Sequence, residues 1–347
     1  MTTPAKTAVM LLSMGGPDSL EAVKPFLFNL FSDPDIIRLP LSFLFQKPLA
    51  WLIVNNRGEE AKRNYGQMGG KSPQLPITLE QRDALRAELK SRGHDMPVYV
   101  AMRYWHPFTE EAVAQAVQDG ITELIVLPLY PHYSYTTTGS SINALRRVLA
   151  KQAPHITTKT ACSYHTHPKY LSAVAETIRH ALDNNAWGCP AEKVQILFSA
   201  HGLPVNHVKR TKDPYPEQIL ECVQSLMQVH FAGQPWELAF QSRVGKMQWL
   251  GPYTDGVLSF FAGKNIDNVL MVPVSFVSDH VETLVEMDIQ FVELAKDQGI
   301  KHIHRASALN TNQQFIQCLA NLVEVQINSE PDDLSMPVTP KTLEGVS

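Results

Sequence analysis

The stretch Gly120-Ile-Thr-Glu-Leu-Ile-Val-Leu-Pro-Leu129 returns further along the chain as Asn265-Ile-Asp-Asn-Val-Leu-Met-Val-Pro-Val274. Each copy contains a loop, an acidic residue, an apolar strand and a proline that ends the strand. A second pair of similar stretches precedes them in the same order: Val9-Met-Leu-Leu-Ser-Met-Gly-Gly-Pro17 resembles Val194-Gln-Ile-Leu-Phe-Ser-Ala-His-Gly-Leu-Pro204. These repeats indicate that the two halves of the chain fold alike.

Short apolar runs alternate with longer amphipathic runs along the whole chain. The predicted strands are 8–12, 98–102, 123–127, 157–161, 194–198, 238–241 and 268–272. The predicted helices include 78–91, 109–119, 141–152, 169–184, 216–229 and 281–298. Strands that alternate with helices of ten or more residues form parallel sheets covered by helices on both faces. We therefore predict an α/β fold of two similar, doubly wound, Rossmann-like parallel-sheet domains.

The length of 347 residues corresponds to about two domains at roughly 150 residues each. The predicted N-terminal domain is 1–165, completed by a C-terminal helix at about 312–326, and the predicted second domain is 166–310. Residues 329–347 contain three prolines and few apolar side chains, which is typical of a mobile tail.

The composition excludes several classes of function. The net charge of −4 gives no global electrostatic reason to bind nucleic acid. The four cysteines stand alone, with no CxxC pair, which argues against a disulfide framework or a cysteine metal cluster and fits a reducing cytoplasm. No targeting segment is evident, so we expect a cytoplasmic protein.

The most hydrophobic segment, about 39–54, is broken by Gln46, Lys47 and Pro48, and is too short to span a bilayer. It is either an ordinary core helix or an apolar lip that takes up a greasy ligand or touches a membrane surface. The second interpretation predicts peripheral contact with the inner face of the membrane through Leu41–Ile53.

Polar residues follow two of the predicted strands, where ligands bind in open parallel sheets. His201 comes after the strand in the second half, with Gly202 beside it, and could equally be a structural histidine. The segment after the last predicted strand carries carboxylates at helical spacing, which are expected to share one helix face: Asp279, Glu282, Glu286 and Glu293. Histidine and carboxylate without thiolate suit ferrous iron, and two such ligands suit an ion that is held briefly.

Ten motifs in register make the chain resemble the ferrochelatase family over roughly residues 8–325. They are Met14-Gly-Gly-Pro17, Tyr65 with Gly69-Gly-Lys-Ser-Pro73, Arg103-Tyr-Trp-His-Pro107, Tyr130-Pro-His-Tyr-Ser134, Thr138-Gly-Ser-Ser141, Phe198-Ser-Ala-His-Gly-Leu-Pro204, Asp213-Pro-Tyr215, Gln241-Ser-Arg-Val-Gly245, Trp249-Leu-Gly-Pro252 and Ser278-Asp-His-Val-Glu-Thr-Leu284. The resemblance implies the two-domain chelatase fold. It also implies insertion of ferrous iron into protoporphyrin IX to give haem b, with release of two protons, as the last step of haem synthesis.

The resemblance also assigns roles to individual positions. It implies that His201 and Glu282 are the paired metal-site and catalytic residues, with Asp279, His280 and Glu286 as an acidic path beside them. The residues implied to contact the porphyrin are Met14, Arg57, Tyr65, Ser72, Arg103, Tyr130 and Trp249. Iron is then a substrate, and no permanently bound cofactor is expected.

The chain departs from some members of the family. Those members hold a two-iron, two-sulfur cluster with one cysteine in the loop before Thr-Thr-Gly and three in a C-terminal tail. Tyr135 stands at that loop position and no cysteine follows Cys318, so no cluster is expected. The chain resembles the soluble bacterial type and is expected to be a monomer. Gly202 stands where some members have Ser, and this departure changes little in the interpretation.

Three alternatives remain at this point. One is a chelatase for another tetrapyrrole such as coproporphyrin III, or for cobalt. Another is a porphyrin or haem carrier with His201 as an axial ligand, which would not need the carboxylate column. The third is a hydrolase built on Ser199 and His201, which the absence of a nucleophile elbow disfavours.

Overall fold

The computed structural model describes residues 5–37, 42–161, 163–245 and 247–332. The described chain forms two units. The first takes the residues up to Ser163 and those from Ile316 to Asp332, and the second is Tyr164–Phe315. The first three residues of the predicted lip and residues 333–347 of the predicted tail lie outside the described residues.

The first unit is built on a four-stranded parallel sheet. Its strands are β1 (Thr7–Ser13), β2 (Val98–Met102), β3 (Glu123–Pro128) and β4 (Thr157–Thr160), in the order β2-β1-β3-β4. The central strand β1 is buried on both faces, which explains its continuous apolar sequence. The carboxyl ends of β1, β2 and β3 therefore lie side by side at one edge of the sheet.

The second unit repeats this topology. Its strands are β5 (Gln195–His201), β6 (Trp236–Gln241), β7 (Asn268–Pro273) and β8 (His302–Arg305), all parallel and in the order β6-β5-β7-β8. β5 therefore occupies the place of β1, and β7 occupies the place of β3. These are the two pairs of stretches that look alike in the sequence, and the predicted fold class is confirmed.

Helices connect the strands in both units. In the first unit they are α1 (Val23–Phe31), α2 (Ser42–Gln67), α3 (Gln74–Ser91), α4 (Thr109–Gln118) and α5 (Ser140–Gln152), which a π-helical turn at Tyr135–Gly139 precedes. In the second they are α6 (Pro168–Asn184), α7 (Val205–Thr211), α8 (Tyr215–His230), α9 (Thr254–Gly263) and α10 (Val292–Asp297), with a 3₁₀ turn at Ala191–Lys193 and a π-helix at Glu282–Phe291 that continues into α10. The last helix, α11 (Gln313–Ile327), begins in the second unit and continues in the first.

Apolar side chains of the helices cover each sheet. Val113 of α4 and Leu145 of α5 pack in one core with Met10 and Val126 of the first sheet. In the second unit, Met287 of the π-helix is buried in the core with the residues of β5 and β7. Burial of Met287 fixes the rotation of the π-helix about its axis, so that its polar residues lie on the other side.

Polar contacts hold α11 in the first unit. Arg92, just after α3, donates to Asn321 Oδ1 and Glu324 Oε2, both at 2.8 Å. Lys159 of β4 donates to the carbonyl oxygen of Ile327 at 3.1 Å and pairs with Glu123 at 3.1 Å. Both lysine and glutamate side chains of that pair are largely buried.

Several elements differ from the sequence prediction. β8 was not predicted, because its sequence His-Ile-His-Arg has no apolar run and it pairs with β7 at the edge of the sheet. α2 is 26 residues long and continues through Pro48, one of the residues that interrupt the hydrophobic run in the sequence. Within the described ranges, no helix is long and apolar enough to cross a lipid bilayer.

Candidate functional site

His201 is the last residue of β5, at the carboxyl edge of the second sheet. It pairs in register with Gln241 of β6. Its backbone N–H donates to Ser275 Oγ at 3.0 Å, and its carbonyl oxygen accepts from the Tyr215 hydroxyl at 3.0 Å. The main chain of His201 is thus held from three sides, while its imidazole remains 37% exposed at the place where ligands bind in such sheets.

The imidazole of His201 is hydrogen-bonded to Glu282, the first residue of the π-helix. Nδ1 lies 2.8 Å from Glu282 Oε2. Burial raises the pKa of the Glu282 carboxyl, but the charge and hydrogen bond of His201, with those of His280, outweigh burial and hold this pKa well below its usual value. An ionised carboxylate only accepts hydrogen bonds, so Nδ1 carries the proton and the lone pair of a neutral His201 is on Nε2.

Burial lowers the pKa of His201, but the Glu282 carboxylate, its hydrogen bond and the charge of Glu286 together raise this pKa above its usual value. The site therefore stabilises the protonated imidazole. This is the property expected of a group that takes up protons.

Glu286 lies beside this pair. Its Oε1 accepts from the backbone N–H of Ser242 at 2.8 Å, and its Oε2 accepts from Gln241 Nε2 at 3.1 Å. Burial and the neighbouring charge of Glu282 raise the pKa of Glu286. Ser242 Oγ contacts Glu286 Oε2 and also Glu282 Oε2, the latter at 2.8 Å. A hydroxyl has one proton, so Ser242 Oγ donates to only one of these two carboxylate oxygens at a time.

The remaining residues of the predicted acidic column lie in different surroundings. His280 Nε2 is 3.8 Å from Glu282 Oε1, so His280 flanks the pair. The Asp279 carboxylate instead contacts Arg305 and Asn310, and Glu293 is exposed on α10. In the described part of the chain, no group of three or more His, Cys, Asp or Glu side chains is placed to hold a metal ion. The arrangement offers a base and a weak metal-binding pair.

Three of the seven residues predicted to contact porphyrin follow strands at the carboxyl edge of the first sheet: Met14, Arg103 and Tyr130. Arg103 follows β2 directly, and its backbone N–H donates a hydrogen bond to the carbonyl oxygen of Ser13. The backbone N–H of Tyr104 donates to the carbonyl oxygen of Met14 at 3.0 Å. The guanidinium of Arg103 donates from Nη2 to Asp33 Oδ2 and from Nε to Ser140 Oγ, both at 2.8 Å. Two of its five N–H groups are therefore committed to the protein.

The other predicted contact residues are placed as follows. The Tyr130 hydroxyl is 3.4 Å from Ser141 Oγ at the start of α5. Ser72 is buried, with its backbone N–H on the carbonyl oxygen of Pro17. Tyr65 is buried on α2, whereas Arg57 on the same helix is 40% exposed and its Nε lies 4.0 Å from Glu60. Trp249 belongs to the second unit and donates to the carbonyl oxygen of Val244 at 2.8 Å.

The sequence did not single out two residues that the structure places in contact with the predicted site. Ser242 joins the two glutamates, and Asp33 is the buried counter-ion of Arg103. Ser242 follows β6 directly, so extending the search for polar residues to the end of that strand would have found it. No sequence signal connects Asp33 with Arg103, which is 70 positions away.

The sequence model of the ferrochelatase family matches residues 6–327. The chain belongs to the ferrochelatase family. It is 48% identical to the ferrochelatase of Cyanothece sp. over 320 residues, which are 92% of this chain and 82% of that protein. It is 44% identical to the ferrochelatase of Rippkaea orientalis over 339 residues, which are 97% of this chain and 86% of that protein.

Solved structures of chelatases share the fold of this chain. SirB from Bacillus subtilis with Fe³⁺ superposes with a TM-score of 0.56 at 12% identity, covering 93% of this chain and 96% of SirB. The sirohydrochlorin chelatase SirB in complex with cobalt gives a TM-score of 0.51 at 12% identity with the same coverage. At this identity the likeness concerns the fold alone.

Membership of the ferrochelatase family confirms the predicted activity. The protein is a metal chelatase, a lyase that inserts iron into protoporphyrin in haem synthesis. The carrier and hydrolase alternatives are set aside. The structure also argues against the hydrolase alternative. Ser199 is fully buried, and its hydroxyl contacts Gln241 and Thr254 instead of His201.

Proposed function

We propose that His201 and Glu282 are the residues at which iron insertion takes place. The single observation that supports this most strongly is the 2.8 Å contact between His201 Nδ1 and Glu282 Oε2 at the carboxyl edge of the second sheet. A porphyrin carries two pyrrole N–H groups, and both protons leave as the iron binds the four ring nitrogens. The reaction therefore needs a proton acceptor and a place for a partly dehydrated ferrous ion.

In this proposal His201 Nε2 accepts the two pyrrole protons one after the other, releasing the first to solvent from its partly exposed imidazole before it takes the second. Glu282 performs two tasks. Its carboxylate keeps the proton of the neutral imidazole on Nδ1, so that Nε2 is the basic atom. The same carboxylate stabilises the imidazolium after proton uptake, because it lies 2.8 Å from Nδ1. A positioned base of this kind contributes roughly 10²–10⁴-fold to a rate.

The same pair suits brief handling of iron. Imidazole nitrogen and carboxylate oxygen are ligands for divalent iron, and two of them are too few for a closed, tight site. Weak binding is what a metal-transfer step requires, because the iron must leave these ligands for the porphyrin. Glu286 and His280 flank the pair as an acidic path, and Ser242 connects Glu286 with Glu282. Asp279 is the least suited of the predicted path residues, since both its oxygens are already paired.

The porphyrin-binding roles remain as proposed from the sequence, for Met14, Arg57, Tyr65, Ser72, Arg103, Tyr130 and Trp249. Arg103 suits a propionate because its remaining N–H groups are directed by its contacts with Asp33 and Ser140. Binding that bends the macrocycle towards its metallated shape would lower the barrier, since bending exposes the nitrogen lone pairs.

We also propose that the protein holds no iron-sulfur cluster. Cys222 and Cys318 are fully buried, and Cys189 is partly buried. Burial raises the pKa of the Cys222 thiol, which disfavours the thiolate that ligates iron. Purified under argon, the protein should contain no acid-labile sulfide.

The exposed apolar side chains of α2 support peripheral membrane contact. Leu44, Phe45, Trp51 and Leu52 are each at least half exposed on this helix. We propose that the protein is a cytoplasmic monomer that touches the membrane surface with this apolar lip. Sedimentation of the purified protein at several concentrations tests the monomer.

Anaerobic insertion assays test the proposed chemistry. Ferrous iron is mixed with either protoporphyrin IX or coproporphyrin III, and insertion is followed by the absorbance change of the ring. We expect faster turnover with protoporphyrin IX, and a loss of at least about 100-fold in Glu282→Gln. His94→Ala is the matched control, because His94 pairs with Glu324 on the surface at 3.6 Å. A Glu282→Gln rate equal to that of His94→Ala would contradict the proposed role.

A further inference from the structure

Arg305, the last residue of β8, uses every nitrogen of its guanidinium within the protein. Nε and Nη2 donate to the two carboxylate oxygens of Asp288 at 2.7 and 2.8 Å. Nη1 lies 3.0 Å from Asp279 Oδ1 and donates to the carbonyl oxygen of Ala306 at 3.1 Å. The Arg305 side chain is only 8% exposed, so these are contacts of a nearly buried cation.

The two carboxylates that Arg305 binds lie on either side of the glutamates of the site. Asp279 precedes Glu282 by three residues, and Asp288 follows Glu286 by two within the π-helix Glu282–Phe291. One guanidinium therefore holds the chain both before and after the two functional carboxylates. This π-helix is ten residues long, whereas most π-helices are single turns within α-helices. The two bonds from Arg305 to Asp288 tie this helix to β8 from outside its own hydrogen bonds.

Further contacts fix the Asp279 side of this arrangement. Asn310 Nδ2 donates to Asp279 Oδ2 at 2.8 Å, and the Asp279 backbone N–H donates to Asn310 Oδ1 at 3.0 Å. The Thr283 hydroxyl lies 3.0 Å from Asp279 Oδ1. Asp279 is thus bound both to the π-helix, through Thr283, and to Asn310 beyond β8, and its charge is matched by Arg305.

We propose that Arg305 is a positioning residue for iron insertion: by holding Asp279 and Asp288 together, it sets Glu282 and Glu286 at their places beside His201 and Ser242. Asp279 belongs to this clamp, which we name the Arg305 clamp (Asp279, Asp288 and Arg305). The inference rests on the proposed function of Glu282. A lysine cannot replace Arg305, since one ammonium cannot make the two parallel bonds to Asp288 and also reach Asp279.

Three variants test the Arg305 clamp: Arg305→Lys, which keeps the charge, Asp288→Asn, which keeps the size, and Arg305→Met. Lys301→Met is the matched control, because Lys301 precedes the same strand and pairs with Asp267 on the surface at 2.5 Å. For each folded variant the experiment measures kcat for iron insertion, the Kd for protoporphyrin IX by fluorescence quenching, and the melting temperature.

We expect Arg305→Lys and Asp288→Asn to lose at least about 10-fold in kcat, since small displacements of positioned groups have effects of this size or larger. The porphyrin Kd should stay within about 2-fold, and Lys301→Met should match the parent protein in both quantities. If Arg305→Met does not fold, the other two variants decide. The inference would be overturned if kcat were unchanged in both Arg305→Lys and Asp288→Asn. It would also be overturned if the decrease in kcat were fully explained by the fraction of each variant that is unfolded at the assay temperature.

A double variant separates positioning from a general loss of structure. If Arg305 acts through Glu282, then Arg305→Lys should lower kcat only slightly in a protein that already carries Glu282→Gln. If the two residues act independently, the decreases in kcat of the two single variants should multiply in the double variant. The same experiment distinguishes the two ways of failing. A fully active Glu282→Gln contradicts the proposed function itself. A Glu282→Gln with its rate reduced as expected, in which Arg305→Lys still lowers kcat by its full factor, contradicts the Arg305 clamp alone.

Discussion

His201 Nδ1 lies 2.8 Å from Glu282 Oε2, although 81 positions separate the two residues in the chain. Strand β5 and the π-helix after β7 bring them together, because β5 and β7 are neighbours in the second sheet and their carboxyl ends meet at one edge. The topology of the parallel sheet therefore provides the pair, and the hydrogen bond sets which imidazole nitrogen is basic.

The acid limb of the pH–rate profile should move when Glu286 is neutralised. Burial lowers the pKa of His201, but Glu282 and Glu286 raise it overall, and only the neutral imidazole can accept a pyrrole proton. The insertion rate should thus rise with pH through this raised pKa. Glu286→Gln removes one of the raising charges, so the limb should shift to lower pH. A limb that stays in place or moves to higher pH would show that Glu286 does not act on His201.

Replacing Asp33 should destabilise the first unit. Asp33 Oδ2 accepts from Arg103 and from the Tyr104 hydroxyl at 2.8 Å, and its side chain is 1% exposed. Asp33→Asn leaves the largely buried guanidinium without its counter-ion, which should lower the free energy of unfolding by about 3 kcal/mol. Urea unfolding measures the effect. Glu60→Gln, beside the exposed Arg57, is the control and should change it by no more than about 0.5 kcal/mol. Equal unfolding free energies for Asp33→Asn and Glu60→Gln would mean that the buried pair of Asp33 and Arg103 does not stabilise the fold.

Replacing Gly202 should also lower the stability of the protein. A Cβ atom on Gly202 would lie 2.8 Å from the carbonyl oxygen of Gln241. The main chain before Ser242 would have to shift, so we expect Gly202→Ala to lose about 1–3 kcal/mol in unfolding free energy. Gly256→Ala is the control, since nothing lies within 4 Å of its added Cβ. Equal stability of the two variants would contradict this account.

The apolar lip on α2 should determine binding to lipid vesicles. Trp51 is 62% and Leu52 50% exposed, and moving each from water into lipid contributes about 1.5–3 kcal/mol. Trp51→Glu and Leu52→Glu should each weaken co-sedimentation with phosphatidylglycerol vesicles about 10-fold or more. Val229→Glu changes an equally exposed apolar residue on α8, so it should bind as the parent protein does. Loss of binding in all three variants would argue against a localised lip.

Much of the second unit could be predicted because its information is local. The apolar run that ends at Phe198 predicts a strand, and the spacing of Glu282 and Glu286 predicts a shared face. The structure extends that strand to His201 and keeps the two glutamates adjacent. The π-helix was not predictable, since apolar periodicity does not reveal whether a backbone N–H bonds four or five residues back.

The Arg305 clamp escaped prediction for a different reason. Its strand β8 is short and polar, so no hydrophobic pattern reveals it. The contacts of Arg305 with Asp279 and Asp288 depend on pairing between β7 and β8, which only the folded chain shows. The same holds for Asp33 and Arg103.

The most direct test of the central claim is single-turnover iron insertion by His201→Ala with and without added imidazole. The account predicts that insertion falls by at least about 100-fold while the porphyrin Kd stays within about 2-fold. Free imidazole should restore part of the rate, and more so at higher pH, where it is neutral. A His201→Ala protein that inserts iron at nearly the parent rate would contradict the claim that His201 takes up the pyrrole proton.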